Sequence, residues 1–269
     1  MTVRTALPRN LTSYDILKTA AVVFMIVDHV GYYFEDGQNW YRVIGRLCVP
    51  IWFFLIGYAR TRELEPRLWI GAAIMEVGRF AAGMPILAVT ILGTFLLARR
   101  CIDPAMRVTL ASERNFWLVN ALLFIFALPS FYVFEYGTLG LLLAMFGWMA
   151  RARQDGNPLA TEQRLHQQMT CSAASFVIWQ TMTFAFGQLE MMALSAGTLA
   201  IAALLLFFRA REFSGWNGPV LMPLKALLQF CGRWTLEIYV AHVIAFQTIA
   251  SIVDPHRFPA FHLQLFIAG

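Results

Sequence analysis

Apolar residues run through this chain in long blocks, punctuated by short polar stretches. A helix that crosses a bilayer needs about 20 predominantly apolar residues, and somewhat fewer when it is buried among neighbours. Nine blocks qualify: about 14–34, 42–59, 68–83, 84–98, 116–133, 136–150, 168–188, 190–208 and 234–253. The third to sixth are short. The division of 68–98 rests on "AAGMP", where Gly83 and Pro85 read as a turn between helices. The amphipathic stretch "MPLKALLQFCG" precedes the last block and predicts a helix lying along the membrane interface. The pattern predicts an all-α integral membrane protein, a polytopic bundle of about nine transmembrane helices.

Composition points the same way. Hydrophobic residues make up 59% of the 269, charged residues only 14%, and mean hydropathy is +0.60. Soluble domains sit near 45–50% apolar and about 25% charged. With the N-terminus cytoplasmic, the inside segments are 1–13, 60–67, 99–115, 151–167 and 209–233. Leaving out Arg233 at a helix start, they hold 15 of the 21 Lys and Arg residues. The opposite loops carry almost none, as the positive-inside rule requires. The net charge of +5 is therefore explained by basic cytoplasmic loops, and no basic patch with interleaved aromatics points to nucleic acid. No repeat or linker divides residues 1–269, so a single domain is expected. The first block is too long for a signal-peptide core and has no small-residue cleavage site after it, so an uncleaved anchor is expected. Cys48, Cys101, Cys171 and Cys231 form no C-x-x-C pair or metal pattern and read as free buried thiols.

The candidate chemistry lies in ionisable residues inside these blocks or at their edges: Lys18, Arg46, Arg79, Arg233, Asp28, Glu76, Glu237, His29 and His242. A charged side chain at bilayer depth costs about 2.5–3.5 kcal/mol on insertion scales, so such groups face a bundle interior or a watery cavity. Lys18 and His29 are eleven residues apart. That is three helical turns within about 20°, which puts both on one face, about 16 Å apart along the axis. A cation at one end and an acid–base group at the other suit a long ligand with a phosphate head and a reactive tail. Coenzyme A has that form, although the geometry alone admits other ligands. Lys18 snorkelling to the interface and His29 as a packing histidine are the bland alternatives. Asp28 points to another face than His29 and has Arg46 as a candidate partner. Glu76 with Arg79 (i, i+3) and Arg233 with Glu237 (i, i+4) have ion-pair spacing, with Glu76 also a candidate substrate contact. His242, about 12 Å into the last helix, is a candidate second cavity imidazole.

"DILKTAAVVFMIVDH" followed by "IGRLCVPIWFFLIGY" resembles the opening of the TraX family of membrane acetyltransferases, named for the acetylase of conjugative pilin. "GRFAAGMP", "NALLFIFAL", "EYGTLGLLLAMFGW" and "GRWTLEIYVAHVIAF" continue the likeness in chain order over most of 13–247. The family in turn resembles wider groups of transmembrane acyltransferases, including bacterial glycan O-acetyltransferases and the lysosomal heparan-α-glucosaminide N-acetyltransferase. The glycan enzymes share Arg or Lys, ten residues, then His, a pattern that Lys18 and His29 match. The resemblance implies a multi-pass protein of the bacterial inner membrane, acetyl-CoA as donor without a metal, and a catalytic His29. Lys18, Asp28, Arg46 and His242 are carried over with it. On this reading His29 is the general base, its ordinary pKa near 6.5 suiting neutral pH, and Asp28 or another carboxylate orients it. Arg46 or Asn120 meets the developing oxyanion. Lys18, Arg60 and Arg62 hold the CoA phosphates, and Asn120, His242 and Glu76 are substrate contacts. Expected partners are acetyl-CoA, membrane lipids, and an acceptor amine or hydroxyl, a pilin N-terminus or a glycan- or lipid-like group, with homo-oligomerisation possible and nucleic acid not expected. A proton-coupled transporter and a non-catalytic pilus or surface-assembly protein are the rivals. No P-loop, G-x-G-x-x-G, H-E-x-x-H or G-x-S-x-G motif is present.

Overall fold

The computed structural model of the chain describes residues 9–262 apart from 36, 217 and 219. The expectations for residues 1–8 and 263–269, and for Asp36 in the loop after the first block, lie outside the described residues. Apart from one two-residue strand pair, β1 (Leu11–Thr12) antiparallel to β2 (Glu212–Phe213), the regular structure is helical.

Helix α1 (Ser13–Phe34) starts at a capping box: the Thr12 hydroxyl accepts from the Asp15 N–H while the Asp15 carboxylate accepts from the Thr12 N–H. The block predicted as one span over 42–59 is two helices, α2 (Asn39–Gly45) and α3 (Cys48–Tyr58), interrupted at Arg46 and Leu47. Helix α4 (Pro66–Ala81) opens with proline at its first turn, where the missing N–H has no intrahelical partner to lose. The predicted block 84–98 is corrected: α5 runs over Ile91–Leu110. Residues 84–90 form a loop that Arg79 ties down by donating to the carbonyls of Pro85 and Ala88, while Glu76 accepts from the Thr90 N–H at 2.7 Å. Arg99, Arg100 and Arg107, assigned by pattern to a cytoplasmic loop, therefore stand on a helix. The block 116–133 divides into α6 (Glu113–Ile125) and α7 (Ala127–Phe131), followed by α8 (Gly137–Gln154). Helix α9 (Glu162–Phe184), capped by the Thr161 hydroxyl, starts earlier than the predicted 168; α10 (Gln188–Leu206), α11 (Met222–Arg233) and α12 (Thr235–Val253) complete the order.

Among the described residues, four stretches are long and apolar enough to cross a membrane: α1, the α2–α3 pair, α10 and α12. Helices α4 and α6 are shorter, and α5, α8 and α9 are less apolar. Helices α3 and α8 form the centre. They approach so closely that a Cβ on Gly57 would strike the Ala144 carbonyl and one on Gly147 the Phe54 carbonyl. Small residues that let backbones touch are the usual packing device where lipid removes the hydrophobic drive between helices. Helix α1 packs on α2, α3, α11 and α12, α4 on α12 and α5, and α9 on α8 and α10. The outer surface is apolar: Val77 is 68% and Leu204 70% exposed. Such a surface suits hydrocarbon better than water.

The long helices run alternately between two ends. One end is basic. There the rings of Tyr14, Tyr58 and Phe208 cluster, and Arg60 meets Asp155, Arg62 meets Asp103, and Arg153 meets Glu162. The opposite end joins Asn39 to Glu190, the Arg257 guanidinium to the Tyr32 carbonyl, and the Ile91 N–H to Glu135.

Candidate functional site

A cavity of about 290 Å³ lies between α1, α3, α4, α5 and α12. Helical spacing builds its walls. Met25 and His29 face it from α1, Cys48, Trp52 and Ile56 from α3, and Ile91, Phe95 and Arg99 from α5, each set at steps of three or four residues. Its rim, at the basic end, carries Glu65, Arg67, Arg99, Arg233 and Glu237. Arg67 pairs with Glu237, and Arg233 pairs with Asp15 at 3.3 Å, so the α1 cap also anchors the rim. The expected Arg233–Glu237 pair gives way to these two contacts between helices. Further in, the walls carry Asp28, His29, Glu135, Tyr136 and Tyr239.

His29 Nδ1 stands 2.7 Å from His242 Nε2, and His242 Nδ1 stands 2.5 Å from the Ile238 carbonyl oxygen. A carbonyl only accepts, so His242 Nδ1 carries a proton and, in the neutral ring, Nε2 is the acceptor. His29 then donates from Nδ1 and keeps its lone pair on Nε2. No hydrogen bond to that Nε2 is made among the described residues. The arrangement is an imidazole held in one tautomer and presenting a base at a cavity wall.

Asp28 has a different setting. Its Oδ1 is 3.1 Å from Arg42 Nη1 and 3.2 Å from Arg46 Nε, and Arg42 also donates to the Asp28 carbonyl at 3.0 Å. The ring of Phe184 lies 4.8 and 4.9 Å from the two guanidinium carbons, and Arg46 also donates to the Tyr136 hydroxyl. Gly45 makes the approach possible, since a Cβ there would fall on the Asp28 backbone. Asp28 thus offsets part of the charge of two buried arginines and makes no hydrogen bond to the His29 ring, correcting its expected role as the orienting carboxylate. Arg46 belongs to this cluster and is not on the cavity wall.

Four other expected site residues are placed elsewhere. Arg60 pairs with Asp155 at 3.4 Å in a separate groove. Arg62 closes the end of α3 by donating to the carbonyls of Ile56, Gly57 and Ala59, which have no helical partner there, and pairs with Asp103. Asn120 is buried and exchanges amide hydrogen bonds with Gln168 at 3.1 and 3.2 Å, tying α6 to α9. Glu76 holds the 84–90 loop, with Arg79 at 3.9 Å. Lys18 is half-buried on α1; it does not line the cavity but lies within electrostatic reach of Glu65 and Arg99 at the rim. Sequence reasoning missed Arg67, Arg99, Glu135 and Tyr239. The four-residue step from Phe95 to Arg99 was the available signal for Arg99, once α5 is extended past 98. Among the described residues, no group of three or more His, Cys, Asp or Glu side chains is arranged to hold a metal, and the four cysteines are free.

Buried ion pairs and an imidazole-lined cavity inside a helical bundle with an apolar exterior define a membrane protein with an internal polar site. The chain belongs to the TraX family, whose description, TraX protein, matches residues 13–197. That match carries Asp28 and His29 and stops short of His242. The uncharacterized protein RP591 of Rickettsia prowazekii (strain Madrid E) is 29% identical over 145 residues, 53% of this chain and 58% of that protein. Protein TraX of Escherichia coli is 28% identical over 148 residues, 52% and 57% of the two chains. Protein TraX of Escherichia coli (strain K12) is 30% identical over 136 residues, 48% and 52%. The chain thus spans little more than half the length of the curated relatives it matches. No solved structure matches.

Proposed function

We propose that the chain is an integral membrane acetyltransferase that moves an acetyl group from acetyl-CoA to an amine or hydroxyl acceptor. The acceptor is a pilin N-terminus or a glycan- or lipid-like group. The observation that carries this reading is the His29 base, fixed by His242, on the wall of a cavity whose rim holds Arg67, Arg99 and Arg233. A space of about 290 Å³ is at the small end of ligand sites. It takes the narrow pantetheine arm and the thioester, while the nucleotide and its phosphates stay at the arginine rim. Lys18 adds a further cation on the same side.

In the reaction, His29 Nε2 removes the proton from the acceptor as its nitrogen or oxygen attacks the thioester carbonyl. The tetrahedral intermediate collapses with cleavage of the C–S bond, and the imidazolium returns the proton to the departing thiolate of CoA. His242 accepts the His29 Nδ1–H throughout and stabilises the imidazolium. Nine membrane crossings, with the N-terminus and the basic end on the cytoplasmic side of the bacterial inner membrane, fit this chemistry. Support comes from the alternating helix directions and from the arginines gathered at one end, where a cytoplasmic donor would enter.

The test is release of free CoA from acetyl-CoA by the purified protein in detergent or nanodiscs, supplied in turn with peptide amines and sugar hydroxyls. Acceptor-dependent release supports the transferase. Tight, saturable binding of acetyl-CoA is expected with it. No release with any acceptor and no donor binding would favour a proton-coupled carrier or an assembly protein.

A further inference from the structure

We propose that a bowl at the basic end, on the other side of α3 from the His29 cavity, binds the phosphate headgroup of an anionic phospholipid. The lipid's acyl chains lie along α10. The bowl holds about 1110 Å³ and is lined by Arg60, Arg151, Arg153, Arg209, Asn157 and Thr161. Four guanidinium groups face one lining carboxylate, Asp155, which Arg60 and Arg151 share at 3.4 and 2.8 Å. Arg153 reaches outward to Glu162 at 2.9 Å. Arg209 has no carboxylate within ion-pair distance among the described residues. Its backbone is nevertheless fixed, since the Ser13 hydroxyl donates to its carbonyl at 2.8 Å. The floor is rigid: Arg151 packs over the Tyr58 ring at 5.2 Å, and Tyr58 stacks on Phe54 of the core. The site therefore presents an excess of positive charge and hydrogen-bond donors around a fixed Arg151, the chemistry that recognises a phosphate.

The choice of a lipid over a soluble phosphate comes from what adjoins the bowl. Phe207 lines it and is 79% exposed. From there an exposed apolar stripe descends α10 through Leu204, Ala203, Ala200, Ala196 and Met192, at helical steps of one to four residues. The alanines leave a shallow channel along the helix in which an acyl chain can lie. A headgroup site continuous with a hydrocarbon-facing channel matches a phospholipid, whose acyl chains add apolar contact that a free anion lacks. Basic pockets between helices on the cytoplasmic face bind anionic headgroups in this manner.

The probe is phosphatidylglycerol, compared with phosphatidylcholine, added to delipidated protein in detergent and read by native mass spectrometry with inorganic phosphate as competitor. The wild type is expected to retain phosphatidylglycerol about tenfold over phosphatidylcholine, given the attraction that basic residues exert on anionic lipid. The double variant Arg153→Gln, Arg209→Gln is expected to lose that preference, and millimolar inorganic phosphate is expected not to displace the lipid. Equal retention of the two lipids, an unchanged preference in the double variant, or displacement by inorganic phosphate would each overturn the proposal. If the double variant does not fold, Arg209→Gln alone, which orphans no carboxylate, is expected to lower the preference severalfold, and an unchanged value overturns it equally.

Discussion

Asp28 and His29 are neighbours on one helix, yet they live in two different electrostatic worlds. Asp28 is clamped between Arg42 and Arg46 under the Phe184 ring, its carboxylate held by two structural charges at the edge of the cavity. His29, turned about 100° around the helix axis, meets a second imidazole and a cavity. Sequence adjacency inside a membrane helix does not make a catalytic pair. The carboxylate offsets part of the charge of two buried arginines, and the imidazole is left with a free lone pair.

The sharpest way to break this contrast is to exchange the two roles by mutation. His29→Ala is expected to remove general-base catalysis, a loss of about 10²–10⁴-fold in acyl transfer, while the protein remains folded and binds CoA. Turnover within tenfold of wild type in a CoA-release assay would remove His29 from the chemistry. Asp28→Asn is expected to act on the fold instead, because it leaves two buried guanidinium groups without a counter-charge. Breaking a buried pair costs about 3–5 kcal/mol, read as a lower melting temperature and poor recovery in detergent. An Asp28→Asn protein that is fully stable but inactive would move the carboxylate into the reaction.

His242→Gln sharpens the imidazole side. Removing a partner that fixes ring orientation and tautomer costs about 10–100-fold at metal-bound histidines. A drop in turnover of that size is expected here, with the CoA dissociation constant unchanged and the pH–rate profile shifted. A structural role alone would leave the profile in place. At the rim, Arg99→Gln is expected to weaken CoA binding about tenfold, near 1.4 kcal/mol, and Arg60→Gln to leave it unaltered; isothermal titration separates them. The smallest effect on chemistry is expected from Asn120→Ala, which leaves the buried Gln168 Oε1 without its donor and costs about 1–3 kcal/mol of stability. Its transfer rate per folded molecule is expected to equal the wild type's.

Much of this was legible from the chain, for identifiable reasons. Eight of the nine apolar blocks are mainly helix, because long hydrophobic runs have few other solutions in a bilayer; the fourth begins with seven residues of loop before α5. The likeness of "DILKTAAVVFMIVDH" to the TraX family is upheld over residues 13–197, but the eleven-residue step from Lys18 to His29 does not bring both to one cavity, since Lys18 is not on its wall. What was not legible is tertiary. His29 and His242 are 213 positions apart, and neither sequence neighbourhood announces the other. Arg62 looked available for phosphate because carbonyls at a helix end leave no mark in the sequence, and Asn120 looked chemical because its partner Gln168 is on another helix. Arg99 was misplaced because α5 continues for twelve residues past 98, through charged positions that hydropathy reads as loop.

On this reading one cavity carries a thioester cofactor from the basic rim to His29. A structure determined with a non-hydrolysable thioether analogue of acetyl-CoA tests it most directly. The phosphates are expected against Arg67, Arg99 and Arg233, with the sulfur beside His29 Nε2. Analogue density in the groove of Arg60 and Arg209, or an empty His29 cavity at saturating ligand, would contradict it.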